Sequence, residues 1–87
     1  MSKPYLETTY RDGKPFAAYL YLDRRPGDSV CKTKKHGSVL VDLSEDGRIL
    51  GIEIPSPSTT GVNDLLKTLE AYQITSVSSA ELAPLAA

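Results

Sequence analysis

The clearest signal in the chain is an alternation of apolar and polar positions over residues 38–54. Two runs with an apolar residue at every second position flank the dipeptide Asp46-Gly47. A period of two is typical of a strand with one buried face. Asp-Gly favours a tight hairpin, because both central residues of a type I′ turn take positive φ. The segment therefore predicts a β-hairpin.

Its register follows from counting outward from the turn, with Asp46 and Gly47 as the two loop residues. The pairs on one face are then all apolar, and a slip of one residue would mismatch the two faces. A three-residue loop with a bulge at Gly47 is the competing geometry, which disturbs the pairing unless the bulge corrects it. The predicted pairs are Leu43–Leu50, Val41–Ile52 and Val39–Ile54 on the apolar face and Asp42–Gly51 and Leu40–Glu53 on the other.

Further strands are predicted upstream of the hairpin. Residues 16–22 alternate in the same way and place Tyr19 and Tyr21 opposite the apolar face. Residues 5–10 and 30–36 predict shorter strands. The second of these carries three lysines, which suit a sheet edge because charged side chains discourage pairing with other chains. The simplest arrangement is an antiparallel meander of four to five strands.

A helix is predicted after a proline-containing linker at residues 55–60. Thr60 is its expected N-cap, and Asp64 is expected in the first turn, where the helix dipole favours negative charge. The predicted fold class is α+β, with this C-terminal helix packed on the sheet. We assign residues 1–58 to the sheet, 59–74 to the helix of the same domain and 75–87 to a flexible tail. The stripe that predicts the helix consists of Val62, Leu65, Leu66, Leu69 and Tyr72.

Length and composition favour a small intracellular protein that gains stability from a second subunit. A chain of 87 residues buries only about 60–65% of its unfolded surface. The single cysteine, Cys31, excludes an internal disulfide, and with the single histidine it cannot form a structural zinc site. No apolar run is long enough to span a bilayer, and no secretory signal is evident. We expect a cytoplasmic homodimer that does not bind membranes.

Residues 42–53 nearly match a calcium-binding loop, with oxygen-bearing side chains at the first, third, fifth and twelfth positions and glycine at the sixth. Both flanks alternate as strands rather than helices, and the ninth position is Leu50. We therefore expect neither a metal nor another cofactor.

Catalytic patterns are equally weak. Cys31 and His36 lie five residues apart on a predicted strand, which directs them to opposite faces. Asp42 and Glu53 share a sheet face, but neighbouring acids at a hairpin end are usually solvated. No nucleophile elbow, phosphate loop or dinucleotide fingerprint is present. We expect no catalytic residues and no enzymatic activity.

A basic stretch is the main candidate for binding. Residues 11–36 carry seven Lys or Arg against three Asp or Glu, whereas residues 42–87 carry two against seven. With the nearby tyrosines, the stretch could contact phosphates and stack on bases. The alternative is that the lysines protect a sheet edge and the tyrosines cover a half-buried face or a dimer contact. The candidate binding residues are Arg24, Arg25, Lys32, Lys34, Lys35, Tyr19 and Tyr21.

Residues 5–58 also resemble a short bacterial family, the domain of unknown function numbered twenty-two eighty-three. The likeness rests on residues 5–10, on the strand 17–22 and above all on the hairpin with Asp42, Asp46-Gly47 and Gly51-Ile52-Glu53. The resemblance implies a β-rich cytoplasmic protein with no established activity. Some members are encoded beside toxin-like proteins, which implies an antitoxin or partner-binding role. Phe16 and the lysines after Asp28 depart from the family pattern.

Together these observations predict a non-enzymatic interaction module that binds a protein partner through a strand edge or its tyrosine-bearing face. Capture through a sheet edge uses main-chain hydrogen bonds and needs no sequence motif. The alternative is a nucleic-acid-binding module that uses the stretch from Arg24 to Lys35.

Overall fold

The computed structural model describes residues 4–86. The predicted α+β fold class is confirmed: this part of the chain forms a five-stranded antiparallel sheet with a helix packed on it. No helix within it is long and apolar enough to cross a bilayer. The elements are β1 (Tyr5–Arg11), β2 (Lys14–Tyr21), β3 (Lys32–His36), β4 (Val39–Leu43), β5 (Ile49–Ile54), α1 (Thr59–Ala71) and a 3-10 helix (Ala83–Ala86).

The strand order is β1-β2-β5-β4-β3, which differs from a simple meander because β2 neighbours β5 rather than β3. Burial explains the difference. β2 and β5 supply buried apolar side chains, whereas all three lysines of β3 are exposed. A central β3 would bury those charges at high cost. The chain therefore places β3 at the edge, as its lysines predict.

The β4–β5 hairpin has the predicted register as far as Asp42–Gly51 and then departs from it. Leu43 pairs with Ile49 instead of Leu50, and the pairing shifts between Asp42 and Leu43. The N–H of Ser44 donates to the Arg48 carbonyl at 2.9 Å, which leaves residues 45–47 as a three-residue loop. Gly47 takes a φ of 85° there. The competing bulged geometry is thus the one adopted.

The core lies between the sheet and α1. Each fully buried Leu or Ile contributes roughly 1.5–3 kcal/mol relative to an exposed one. The residues that form the core are Ala18, Leu20, Leu22, Val39, Val41, Leu43, Ile52, Ile54, Leu65, Leu69, Leu82 and Leu85.

The start of α1 differs from the prediction by two residues. Ser58, not Thr60, is the N-cap, and its hydroxyl accepts from the Gly61 N–H at 3.2 Å. Asp64 lies beyond the first turn and accepts hydrogen bonds from the Ser38 N–H at 2.8 Å and hydroxyl at 2.7 Å. These bonds hold the pKa of Asp64 below its ordinary value. They fix the helix to the β3–β4 turn.

Of the predicted helix stripe, Leu65 and Leu69 enter the core, whereas Leu66 is 48% exposed. The helix ends at Ala71, before the predicted residue 74. Gln73 takes a left-handed φ of 57° just after it. The Gln73 N–H donates to the Glu70 carbonyl and the Ile74 N–H to the Leu69 carbonyl, which is the Schellman pattern.

The segment after Thr75 differs from the loose tail that the sequence predicts. Leu82 and Leu85 are 9% and 4% exposed and belong to the core. The 3-10 helix that carries Leu85 contacts both α1 and β2. The C-terminal segment and α1 therefore cover the same face of the sheet, and the opposite face is called the open face below.

Candidate functional site

Strand alternation places three tyrosines on the open face. Tyr5 pairs with Tyr21, Glu7 with Tyr19, and Tyr21 with Gly51 across β1, β2 and β5. Directly opposite residues on antiparallel strands share a face. The name tyrosine face is used here for this set: Tyr5, Glu7, Tyr19, Tyr21, Arg24 and Asp42.

The aromatic rings of the tyrosine face form a continuous stack. The Tyr5 and Tyr21 ring centroids are 4.9 Å apart with the planes inclined by only 9°. Tyr19 meets Tyr21 edge-on, at 4.7 Å and 62°. The Arg24 guanidinium carbon lies 5.3 Å from the Tyr21 centroid and 5.7 Å from that of Tyr19. Aromatic pairs of this kind contribute about 0.5–1.5 kcal/mol each beyond burial, which favours this arrangement of the rings.

Hydrogen bonds extend this stack toward β3. The Tyr19 hydroxyl donates to Asp42 Oδ2 at 2.8 Å and accepts from Arg24 Nη2 at 3.2 Å. The Thr33 hydroxyl donates to Asp42 Oδ1 at 2.7 Å. Burial raises the pKa of Tyr19 to about 12 against the lowering effect of Arg24. Tyr19 is therefore a neutral phenol at physiological pH, able to donate to Asp42.

Tyr19 reaches Asp42 by passing over β5 at Gly51. A Cβ at position 51 would lie only 2.4 Å from the Tyr19 ring, closer than real contacts allow. A side chain at this strand position would therefore displace the aromatic ring, which favours glycine here.

The rim of the tyrosine face is acidic. Glu7 and Glu53 are exposed on the same sheet face. The Tyr21 and Tyr5 hydroxyls donate to Glu7 at 3.4 and 3.5 Å, at the long limit of hydrogen bonding. A ligand of this face therefore meets aromatic rings flanked by carboxylates.

The candidate binding residues from the sequence do not form one surface. Tyr19, Tyr21 and Arg24 come together, whereas Arg25 is exposed in the following loop, where it pairs with Asp23 at 3.2 Å. The three lysines of β3 are separated by alternation. Lys35 pairs with Leu40 on the open face, whereas Lys32 and Lys34 pair with the core residues Leu43 and Val41 on the opposite one.

Sequence reasoning missed Tyr5, Glu7 and Asp42 as members of the tyrosine face, and Thr33 and Gly51 as residues that contact it. A glycine inside an otherwise apolar strand is the one local signal that could have indicated a close contact. The β2–β5 pairing that brings Tyr19 close to Gly51 and Asp42 is not visible in local periodicity.

The loop that resembles a calcium site is organised by Arg48. Arg48 Nε contacts Asp46 at 3.0 Å, and its two terminal nitrogens bind Asp28 at 2.7 and 3.1 Å. Hydrogen bonds from Ser44 and Arg48 lower the pKa of Asp46 to about 2, and those from Arg48 and the Arg25 N–H lower the pKa of Asp28. Within residues 4–86, no group of three or more His, Cys, Asp or Glu side chains is placed to hold a metal ion.

Arg48 also positions the loop that carries Arg24. Its Nη1 donates to the Asp23 carbonyl at 3.1 Å, next to Arg24 in sequence. The bidentate pair with Asp28 fixes the other end of the loop, with the two side chains only 22% and 14% exposed. Arg48 is therefore a positioning residue for the tyrosine face.

Cys31 and His36 serve separate purposes. Cys31 is an exposed free thiol before β3, and its backbone N–H donates to the Leu43 carbonyl at 2.8 Å. The His36 Nε2 lies 2.8 Å from the Tyr72 hydroxyl and joins β3 to the end of α1. His36 pairs with the core residue Val39 and so lies on the sheet face opposite the tyrosines.

Comparisons with protein-family models, with curated proteins and with solved structures found no match. The resemblance to the domain of unknown function numbered twenty-two eighty-three stays an expectation from the sequence.

Proposed function

We propose that the protein is a non-enzymatic interaction module whose tyrosine face binds a protein partner. The observation that supports this most is the stack of Tyr5, Tyr21 and Tyr19 on the sheet face opposite α1. Aromatic side chains held in one conformation lose little entropy on binding, and they are enriched at the centres of protein interfaces.

The charges of the face specify the chemistry of this partner. Arg24 is engaged by Tyr19 and by both neighbouring rings. Glu7 and Glu53, by contrast, present exposed carboxylates at the rim. Tyr5 is 53% exposed, although Tyr21 stacks on one face of its ring. We therefore expect the partner to present arginine or lysine to the carboxylates and a planar side chain to the tyrosine stack.

A nucleic-acid-binding role is less well supported. Phosphate contacts need a continuous basic surface. Lys32 and Lys34 lie on the opposite face from the tyrosines, and Glu7 and Glu53 would repel phosphates beside the stack. We also propose a cytoplasmic location, which the free thiol of Cys31 favours. An antitoxin role would fit such a module and rests on the family resemblance.

The test is affinity capture of the tagged protein from lysate of its native host, with and without nuclease. The variants Tyr21→Ala and Glu7→Lys remove the stack and invert the rim charge. Leu66→Ala is the control, because Leu66 is an exposed apolar residue that lies on α1 and not on the tyrosine face. A triple Lys32→Gln, Lys34→Gln and Lys35→Gln variant tests the basic strand.

We expect the wild type to capture one protein in stoichiometric amount, with or without nuclease. The Leu66→Ala control and the triple lysine variant should still capture it, whereas Tyr21→Ala and Glu7→Lys should not. Loss of capture on nuclease treatment or in the lysine variant would favour nucleic acid instead. Equal capture by Tyr21→Ala and the wild type would contradict the proposal.

A further inference from the structure

The two edges of the sheet differ in how they are protected. β3 carries lysines at three of its five positions, a device that prevents edge pairing. β1 has seven residues, five of them exposed, and contains no lysine or proline. Its pairing with β2 shifts between Thr9 and Tyr10, but the extra residue, Phe16, is on β2, so β1 keeps a regular alternation along its outer edge.

We propose that β1 pairs antiparallel with β1 of a second copy, with Thr8 on the twofold axis. A twofold axis between two antiparallel copies of β1 must pass midway between one residue and the same residue of the second copy. Only then do side chains that lie opposite each other belong to the same face of the joined sheet. This permits only a few registers, each named by its central residue. The side chains of β1 distinguish between them.

The register centred on Thr8 uses all seven residues of β1 and is complementary throughout. On the open face, Tyr5 lies directly opposite the partner's Arg11, and Glu7 is diagonal to the same arginine. On the other face, Leu6 lies opposite the partner's Tyr10, which is 53% exposed in the single chain. Aromatic–aliphatic, cation–aromatic and Thr–Thr pairs all favour cross-strand contact.

The neighbouring registers are poorer. Centring on Glu7 would place it directly opposite the partner's Glu7, and like charges in that position are destabilising. Centring on Thr9 would leave Tyr5 and Leu6 beyond the end of the partner's strand, beside its Asp12–Gly13 turn.

The dimer would join two sheets into one and set the two open faces side by side. Arg11 lies with its guanidinium carbon 4.5 Å from the Phe16 ring centroid, at the tip of the β1–β2 hairpin. From this tip it would extend onto the partner's Tyr5. Each copy would thus contribute a residue to the tyrosine face of the other.

The register can be tested by disulfide cross-linking in a Cys31→Ser background, which removes the native thiol. In Thr8→Cys, the two thiols would face each other across the axis, with Cα atoms about 5 Å apart, within disulfide range. Glu7→Cys is the matched control, since its two copies would be about 8 Å apart, too far for a disulfide. The mass of the wild-type protein is measured in parallel by analytical ultracentrifugation.

We expect a wild-type dimer, quantitative cross-linking of Thr8→Cys under mild oxidation, and none of Glu7→Cys. The single variants Glu7→Arg and Arg11→Glu should dissociate the dimer, and combining them should restore it. Lys34→Glu on the other edge should have no effect. A wild-type monomer at all concentrations from micromolar to millimolar would overturn the proposal. Cross-linking of Glu7→Cys instead of Thr8→Cys would overturn it as well. None of these readouts depends on the protein partner proposed above.

Discussion

Replacing Gly51 by alanine tests whether the close approach of Tyr19 to β5 holds the tyrosine face together. The added Cβ would lie 2.4 Å from Tyr19 Cε2 and Oη and 2.5 Å from Cζ. The ring would have to swing away, and it would then lose its hydrogen bond to Asp42 and its edge contact with Tyr21. Asp42 would keep the hydrogen bond from Thr33.

The magnitude follows from the lost contacts. A hydrogen bond to a charged group contributes roughly 1.5–3 kcal/mol, and an aromatic pair about 0.5–1.5 kcal/mol. Alanine in a strand recovers about 0.5–1 kcal/mol relative to glycine. We therefore expect a net loss of about 2 kcal/mol in the free energy of unfolding. In a domain of this size that lowers Tm by roughly 8–16 °C.

Urea unfolding of Gly51→Ala, Tyr19→Ala and the double variant measures this coupling as a double-mutant cycle. Without the Tyr19 ring there is nothing for the new methyl group to displace. Gly51→Ala should therefore become neutral or stabilising by about 0.5–1 kcal/mol in the Tyr19→Ala background. The same loss in both backgrounds, or no loss in the wild type, would refute the explanation.

Four further predictions concern stability. Asp46 has its pKa lowered to about 2, so the stability that it provides is present above about pH 4 and is lost as the pH falls toward 2. The pKa of Asp28 is lowered in the same direction, and Arg48→Met should flatten the acid dependence of urea unfolding. Tyr19 has its pKa raised to about 12, so its contribution is complete below pH 10 and is lost as the pH rises toward 12, a loss that Tyr19→Phe should remove in alkaline unfolding curves. Gln73→Gly should raise the free energy of unfolding by about 1 kcal/mol by relieving a left-handed φ, and an unchanged Tm would contradict this. Leu85→Ala should cost about 2–4 kcal/mol, whereas a flexible tail would tolerate it without effect.

The sequence specified the local parts of the fold well. Alternation predicted β2, β4 and β5 and the pairing from Leu40–Glu53 to Asp42–Gly51. It left the bulge undecided, because Ile49 and Leu50 are both apolar and either one could pair with Leu43 on the core face. The burial of Leu82 and Leu85 was missed because two leucines in one short turn give no measurable period.

The candidate site was only partly predictable. Alternation correctly placed Tyr19 and Tyr21 opposite the apolar face. Tyr5 joins them through the local β1–β2 pairing, whereas their assembly with Asp42 depends on β2 lying beside β5, a contact between segments 30 or more residues apart in the chain. The grouping of the β3 lysines with the tyrosines failed for a simpler reason. Their nearness in sequence conceals the alternation that places Lys32 and Lys34 on the other face.

The most direct test of the central claim is amide hydrogen exchange of the protein alone and in complex with the protein that it captures. Binding to the tyrosine face predicts new protection in β1 around Tyr5–Glu7 and in β2 around Tyr19–Tyr21, with α1 unchanged. Protection confined to α1 or to the lysine edge of β3 would contradict the claim.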